Sequence, residues 1–145
     1  MQTAAELCEK LRHQGLKVTP QRRAIFEALE NNTQHPTAEQ VHDMVRARMP
    51  DVALGTIYKV MQELVDMGEL LELNFHGDRS RFDPNVSDHS HIQCQGCGRL
   101  QDVPQLFPSL SVPSELARGF RIDRHEVVFY GLCPECLAGR KPSEG

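Results

Sequence analysis

Two Cys-x-x-Cys pairs, Cys94-Gln95-Gly96-Cys97 and Cys133-Pro134-Glu135-Cys136, are the residues of this sequence best suited to chemistry. Two residues between thiols allow a tight turn that aims both sulfurs at one ion, and Gly96 and Gly98 supply the permissive backbone of a knuckle. Four thiolates suit tetrahedral Zn2+ and leave no open coordination position, so the expected site is structural. A thioredoxin-like redox pair at Cys133 and Cys136 would need a following helix inside a βαβ unit, whereas only residues 137–145 follow. A zinc deaminase would need His-x-Glu ahead of Pro-Cys-x-x-Cys, and no such pairing occurs.

A second set of donors lies beside the first cysteine pair. His89 and His91 are two residues apart, so on a strand both imidazoles point to the same side. Asp83 lies just upstream, and Asp102 falls on the expected partner strand. Two imidazoles with carboxylates form a mixed N/O site, the chemistry preferred by Fe2+, Mn2+ or Zn2+ over Cu+. Clustering next to a zinc knuckle raises these residues above solvated surface groups. His13, His42 and His76 lack such company and read as ordinary polar residues. His125 and Asp88 are weaker candidates, for a minor further site.

The elements that must position these donors follow from caps and periodicity. Residues 3–14 form a helix with Ala4, Leu7, Cys8 and Leu11 on one stripe, which makes Cys8 a small core residue, and Gly15 just past its end. Thr19-Pro20 has the form of an N-cap followed by Pro at the first helical position, with Ile25, Phe26 and Leu29 facing inward. Thr37 and Gln40 make a capping box for a third helix, its apolar face Val41, Met44, Val45 and Met49, ending at Pro50. A fourth helix runs from about Leu54 to Met67, with Ile57, Met61, Leu64 and Val65 inward and Gly68 at its C′ position. Leu70–Phe75 and Ser80–Asp83 read as strands joined across residues 76–79.

Short helices followed by a β-hairpin give the order of a winged helix-turn-helix, whose fourth helix would enter a major groove. Beyond a linker at residues 84–88, strands are expected around His89–Cys94, Arg99–Val103 and Phe120–Tyr130, with a helix near 105–117. The fold class is α+β: a winged-helix domain over residues 1–83, then a small α/β domain over 89–145.

At 145 residues, either module buries little core and needs help from metal or oligomerisation. The formal charge of −4 gives no global basic signal, so nucleic-acid affinity must come from a local patch. Lys10, Arg12, Lys17, Arg22 and Arg23 supply one, in a stretch without Asp or Glu. Aromatic residues make up 6% of the chain and Trp is absent, which disfavours stacking on single strands. No export leader or membrane-spanning run is evident, so the protein is expected in the cytoplasm, where five cysteines favour metal binding over disulfides.

The chain resembles the ferric uptake regulator family over nearly its whole length. The resemblance rests on Thr19-Pro20-Gln21-Arg22, His35-Pro36-Thr37-Ala38-Glu39, Thr56-Ile57-Tyr58 and Ser80-Arg81-Phe82-Asp83. It continues through His89-Ser90-His91, Cys94, Cys97 and Gly98, then Tyr130-Gly131, Cys133 and Cys136, all in order and spacing. It implies a homodimer with an N-terminal winged helix and a C-terminal dimerisation domain. It also implies that His35 joins the regulatory site with Asp83, His89, His91 and Asp102 around Fe2+ or Mn2+.

Iron-sensing members usually carry Glu where this chain has Asp83, whereas peroxide sensors of the PerR type carry Asp. Asp102 matches the same set. Lys59 stands where peroxide sensors often have Asn, and Ser90 where iron-type members commonly have Asp.

The leading expectation is a repressor of the peroxide-stress response, derepressed when metal-catalysed oxidation strikes a ligating histidine. It would read inverted-repeat operators in double-stranded DNA, and it would not be an enzyme. Lys17, Arg22 and Arg23 are candidates for phosphate contacts, and Thr56, Tyr58 and Lys59 for groove contacts. The alternatives are a metal-uptake repressor of the same family and, from another class, a zinc- and manganese-binding redox protein or enzyme.

Overall fold

Helix caps and buried stripes set the first part of the chain. A computed structural model describes residues 1–75, 79–104 and 110–139 and separates two units, Met1–Ser87 and a second that begins at Asp88.

In the first unit, α1 (Ala4–His13) opens on a capping box between Thr3 and Glu6. It closes at Gly15, whose φ of +75° lets the Leu16 N–H donate back to the Leu11 carbonyl at 2.9 Å. Thr19 caps α2 (Pro20–Leu29), and the Thr37–Gln40 capping box starts α3 (Ala38–Arg46). α4 (Leu54–Asp66) ends the way α1 does, with Gly68 at φ +74° and the Glu69 N–H on the Leu64 carbonyl. Leu7, Cys8, Ile25, Leu29, Ile57 and Met61 are buried in one core shared by the four helices.

Three sequence readings of these helices need correction. α3 ends at Arg46, before Pro50, with Ala47 as its cap, although the Arg48 and Met49 N–H groups still bond back to the Val45 carbonyl. Met44 is exposed: the stripe narrows to Ala38, Val41 and Val45, which recur at three- and four-residue intervals. On α4, Val60 is fully buried whereas Val65 is only partly so.

The hairpin after α4 pairs β1 (Leu71–Leu73) with β2 (Arg81–Asp83) in antiparallel register, Leu71 opposite Asp83. Both strands are shorter than the alternation implied; residues 76–78 of their connection lie outside the described residues. β2 also reaches the segment before α3. The Phe82 N–H donates to the Pro36 carbonyl at 2.9 Å, and Thr37 and Arg81 form an isolated antiparallel bridge.

The second unit is a three-stranded sheet with β3 (His89–Cys94) in the centre. β4 (Leu100–Pro104) lies antiparallel on one side and β5 (Val128–Gly131) parallel on the other. The expected strand over Phe120–Tyr130 shrinks to β5, because its earlier part is an exposed charged run in which Arg121 pairs with Asp123 and Arg124 with Glu126. Of the helix expected near 105–117, residues 105–109 lie outside the described residues. The described part is a single turn, α5 (Ser114–Ala117), stopped by Arg118 and Gly119 at positive φ. A last turn, α6 (Pro134–Leu137), follows Cys133.

Among the described residues, this unit buries Ser90, His91, Gln93, Cys94, Leu100 and Cys133. Leu100 is the one large aliphatic side chain in that set. So thin a core makes the unit depend on cross-links other than apolar packing.

Candidate metal centres

The cysteine site is assembled by strand register. β3 runs parallel to β5 with Cys94 opposite Gly131, so the start of one Cys-x-x-Cys pair lies level with the chain that leads into the other. The turn after Cys94 is closed by the Gly98 N–H on the Cys94 carbonyl at 2.8 Å, with Gly98 at φ +80°. The four sulfurs lie within 4.8 Å of one another. The Cys97 and Cys133 sulfurs are 3.8 Å apart, which matches the edge of about 3.8 Å expected of a tetrahedron with metal–sulfur distances near 2.3 Å. An Arg99–Glu135 ion pair at 3.0 Å ties the two knuckles together outside the sulfurs.

The thiols do not ionise alike. Burial pushes the Cys94 thiol up, but amide donors from Cys133, Cys97 and Gly96 outweigh it and bring it down to about 6. Loss of hydration and the thiols of Cys133, Cys94 and Cys97 push Cys136 up to about 12, and burial also raises Cys97. A dication supplies the charge that would let all four release their protons, so the donor set fits zinc.

Gly96 is required by space here. A Cβ at this position would lie 2.8 Å from the Cys136 sulfur and 3.1 Å from its Cβ. Gly96→Ala is therefore expected to push Cys136 off the tetrahedron and to speed zinc loss to a chelator. A metallochromic dye records the rate, and a rate equal to wild type would refute the crowding argument.

Each unit carries its own imidazole and carboxylate donors. In the first unit, His35 Nε2 is 3.4 Å from Asp83 Oδ2, and both side chains are almost wholly buried. β2 brings them together, because the bonds of Arg81 and Phe82 to residues 35–37 place His35 beside the strand that carries Asp83. Asp83 Oδ1 accepts the Asn85 N–H at 2.9 Å, which fixes the carboxylate.

In the second unit, His91 faces Asp102 directly across the antiparallel ladder. His89 and His91 bring their Nε2 atoms to 3.0 and 3.2 Å from the same oxygen, Oδ1 of Asp102. Their rings lie 4.5 Å apart, as expected for i, i+2 neighbours on one strand face. Two nitrogens and a carboxylate oxygen converging at hydrogen-bond distance form a set that fits a divalent cation of the Fe2+ or Mn2+ kind.

Asp88 and His125 are both exposed and belong to no cluster of metal-binding donors among the described residues. His42 is a structural group, its Nε2 2.9 Å from the Val52 carbonyl, and Cys8 lies in the core.

The sequence-predicted DNA contacts divide by environment. Lys17 and Lys59 are exposed. Thr56 is half-buried near the start of α4. Tyr58 is 46% exposed, and its hydroxyl donates to Glu39 at 2.9 Å. Arg22 is engaged with Glu63 of α4 at 2.9 Å and is only 22% exposed, so it clamps α2 to α4. Arg23 pairs with Glu27 along its own helix. The basic stretch is thus partly neutralised by acids from elsewhere in the chain, including Glu69, which meets Lys10.

Sequence reasoning missed Arg81. Its one local signal is strand alternation, which puts it on the same face as Asp83.

The chain is 35% identical over 134 residues to the peroxide operon regulator of Bacillus subtilis (strain 168), spanning 90% of this chain and 91% of that protein. It is 34% identical to the peroxide-responsive repressor PerR of Staphylococcus epidermidis, over 90% of this chain and 88% of that one. Among solved structures, the ferric uptake regulator from Pseudomonas aeruginosa with manganese matches with a TM-score of 0.62 at 26% identity, covering 87% of this chain and 96% of that one. The sequence model described as the ferric uptake regulator family matches residues 13–130. The chain belongs to the ferric uptake regulator family.

Proposed function

We propose that this chain is a homodimeric, metal-dependent repressor that binds double-stranded operators with inverted repeats and is released by peroxide. The observation that carries the reading is the convergence of His89 and His91 on one oxygen of Asp102, on the same strand that begins the four-cysteine site. In this reading residues 1–83 are the DNA-binding domain, 84–88 the linker and 89–145 the dimerisation domain. Cys94, Cys97, Cys133 and Cys136 hold structural zinc.

His35 and Asp83 from one domain and His89, His91 and Asp102 from the other hold a single Fe2+ or Mn2+. Ligands drawn from two domains favour one orientation between them, so metal shifts the population toward the DNA-competent state. Asp83, together with the names of the relatives from B. subtilis and S. epidermidis, supports the peroxide reading. A bound ferrous ion supplies one-electron reduction of peroxide, a chemistry Mn2+ does not share. The histidine struck is consumed once, which is signalling by damage and not enzymatic turnover.

Lys17 and Arg23 serve as phosphate contacts in this reading, and Thr56, Tyr58 and Lys59 as groove contacts. Arg22 reaches DNA only indirectly, by aligning α4. Exposed apolar side chains support the dimer: Leu116, Phe120 and Leu137 are 66%, 77% and 71% exposed. In this reading the repressor acts in the reducing cytoplasm, where cysteines stay available as thiolate ligands.

The test is operator binding with Fe2+ and with Mn2+, before and after micromolar peroxide. Loss with Fe2+ alone is expected, with one added oxygen on the peptide holding His35 or His89. Equal resistance with both metals would overturn the peroxide reading in favour of a metal-uptake repressor. Turnover of a small substrate without salt-dependent DNA binding would overturn the repressor reading altogether.

A further inference from the structure

We propose that Arg81 is a positioning residue for the regulatory metal, holding His35 in the backbone conformation that turns its imidazole onto Asp83. The inference rests on the reading of His35 and Asp83 as ligands. His35 has φ +51°, in the left-handed region that L-residues seldom occupy. Such a conformation persists when surrounding structure over-determines it, and it concentrates at functional sites.

Two hydrogen bonds from β2 supply that constraint. The Phe82 N–H holds the Pro36 carbonyl, the bond through which the Thr37–Arg81 bridge is made. The guanidinium then reaches one residue further back, donating from Nη1 to the His35 carbonyl at 3.1 Å.

Arg81 shares a strand face with Asp83, so three residues of β2 carry both a ligand and the group that orients another ligand. An arginine suits this task because its planar fork is rigid and always charged, giving a strong hydrogen bond to a carbonyl. Without it, the peptide at residue 35 is free to relax toward negative φ, and the imidazole swings from Asp83. The effect reaches the metal through His35; Arg81 itself is not a ligand.

The experiment is Mn2+ titration of the full-length, zinc-loaded dimer, with zinc content and dimer mass confirmed for each variant. Arg81→Ala is expected to weaken Mn2+ binding by on the order of tenfold to a hundredfold, the range for residues that orient metal ligands. Arg81→Lys, which keeps a charged donor, recovers much of that loss. Should Arg81→Ala fail to fold, Arg81→Gln replaces it with the same expectation.

At saturating Mn2+ the variant binds operator with the wild-type salt dependence. A slope lower by about one would make Arg81 a phosphate contact and overturn the proposal. Wild-type Mn2+ affinity in Arg81→Ala alongside a loss in His35→Ala overturns the role of Arg81 but leaves the ligand set standing. Wild-type affinity in both variants overturns the ligand set, and the proposal with it.

Discussion

Cys97→Ser is expected to abolish zinc retention and, with it, the dimer. Serine's oxygen is harder than sulfur and stays protonated near neutrality, so it does not replace a thiolate on zinc. Zinc binding to such sites is worth about 10–16 kcal/mol, comparable to the entire stability of an ordinary domain at about 5–15 kcal/mol. Among the described residues of the second unit, Leu100 is the single large aliphatic side chain that is buried, so apolar packing there offers little in reserve.

The first unit has its own apolar core and should keep its helices. The expected record is therefore loss of zinc and of dimer mass in native mass spectrometry, with most of the helical circular dichroism retained. A folded, zinc-free dimer would show that the four cysteines are not the brace of this unit.

His91→Ala is expected to remove the Mn2+ dependence of operator binding. His91 is buried, faces Asp102 across the ladder and directs Nε2 at its carboxylate, so its loss empties the centre of the donor cluster in the second unit. Linkage sets the form of the result. If Mn2+ tightens operator binding by some factor, operator must tighten Mn2+ binding by the same factor, about 5–150-fold for typical couplings of 1–3 kcal/mol. In the wild type both measurements should return one number, and in His91→Ala both should fall toward unity. Unequal factors in the wild type, or an undiminished factor in the variant, would remove His91 from the switch.

Much of the local structure was legible before any coordinates. Thr19 and Thr37 marked two helix starts, and Gly15 and Gly68 marked two ends, because capping is decided within a few residues. Boundaries set by tertiary packing were less legible. Residues 120–127 alternate well enough for a strand, but pairing with β3 begins only where Val128 meets His91. Met44 fits the helical period yet falls outside the stripe that packing selects.

The chemistry divides along the same line. Residue type and spacing alone determined the two cysteine pairs and the i, i+2 histidines, since each pair converges within one turn or one strand face. Their assembly was decided by tertiary structure. Parallel register between β3 and β5 brings Cys94 and Cys97 to Cys133 and Cys136, and the antiparallel ladder sets Asp102 against His91. His35 and Asp83 meet only because β2 bonds to residues 35–37, and Arg22 proved to be a clamp because α4 presents Glu63 to it. Such partners are remote in sequence, and only the folded backbone sets the few ångströms between them.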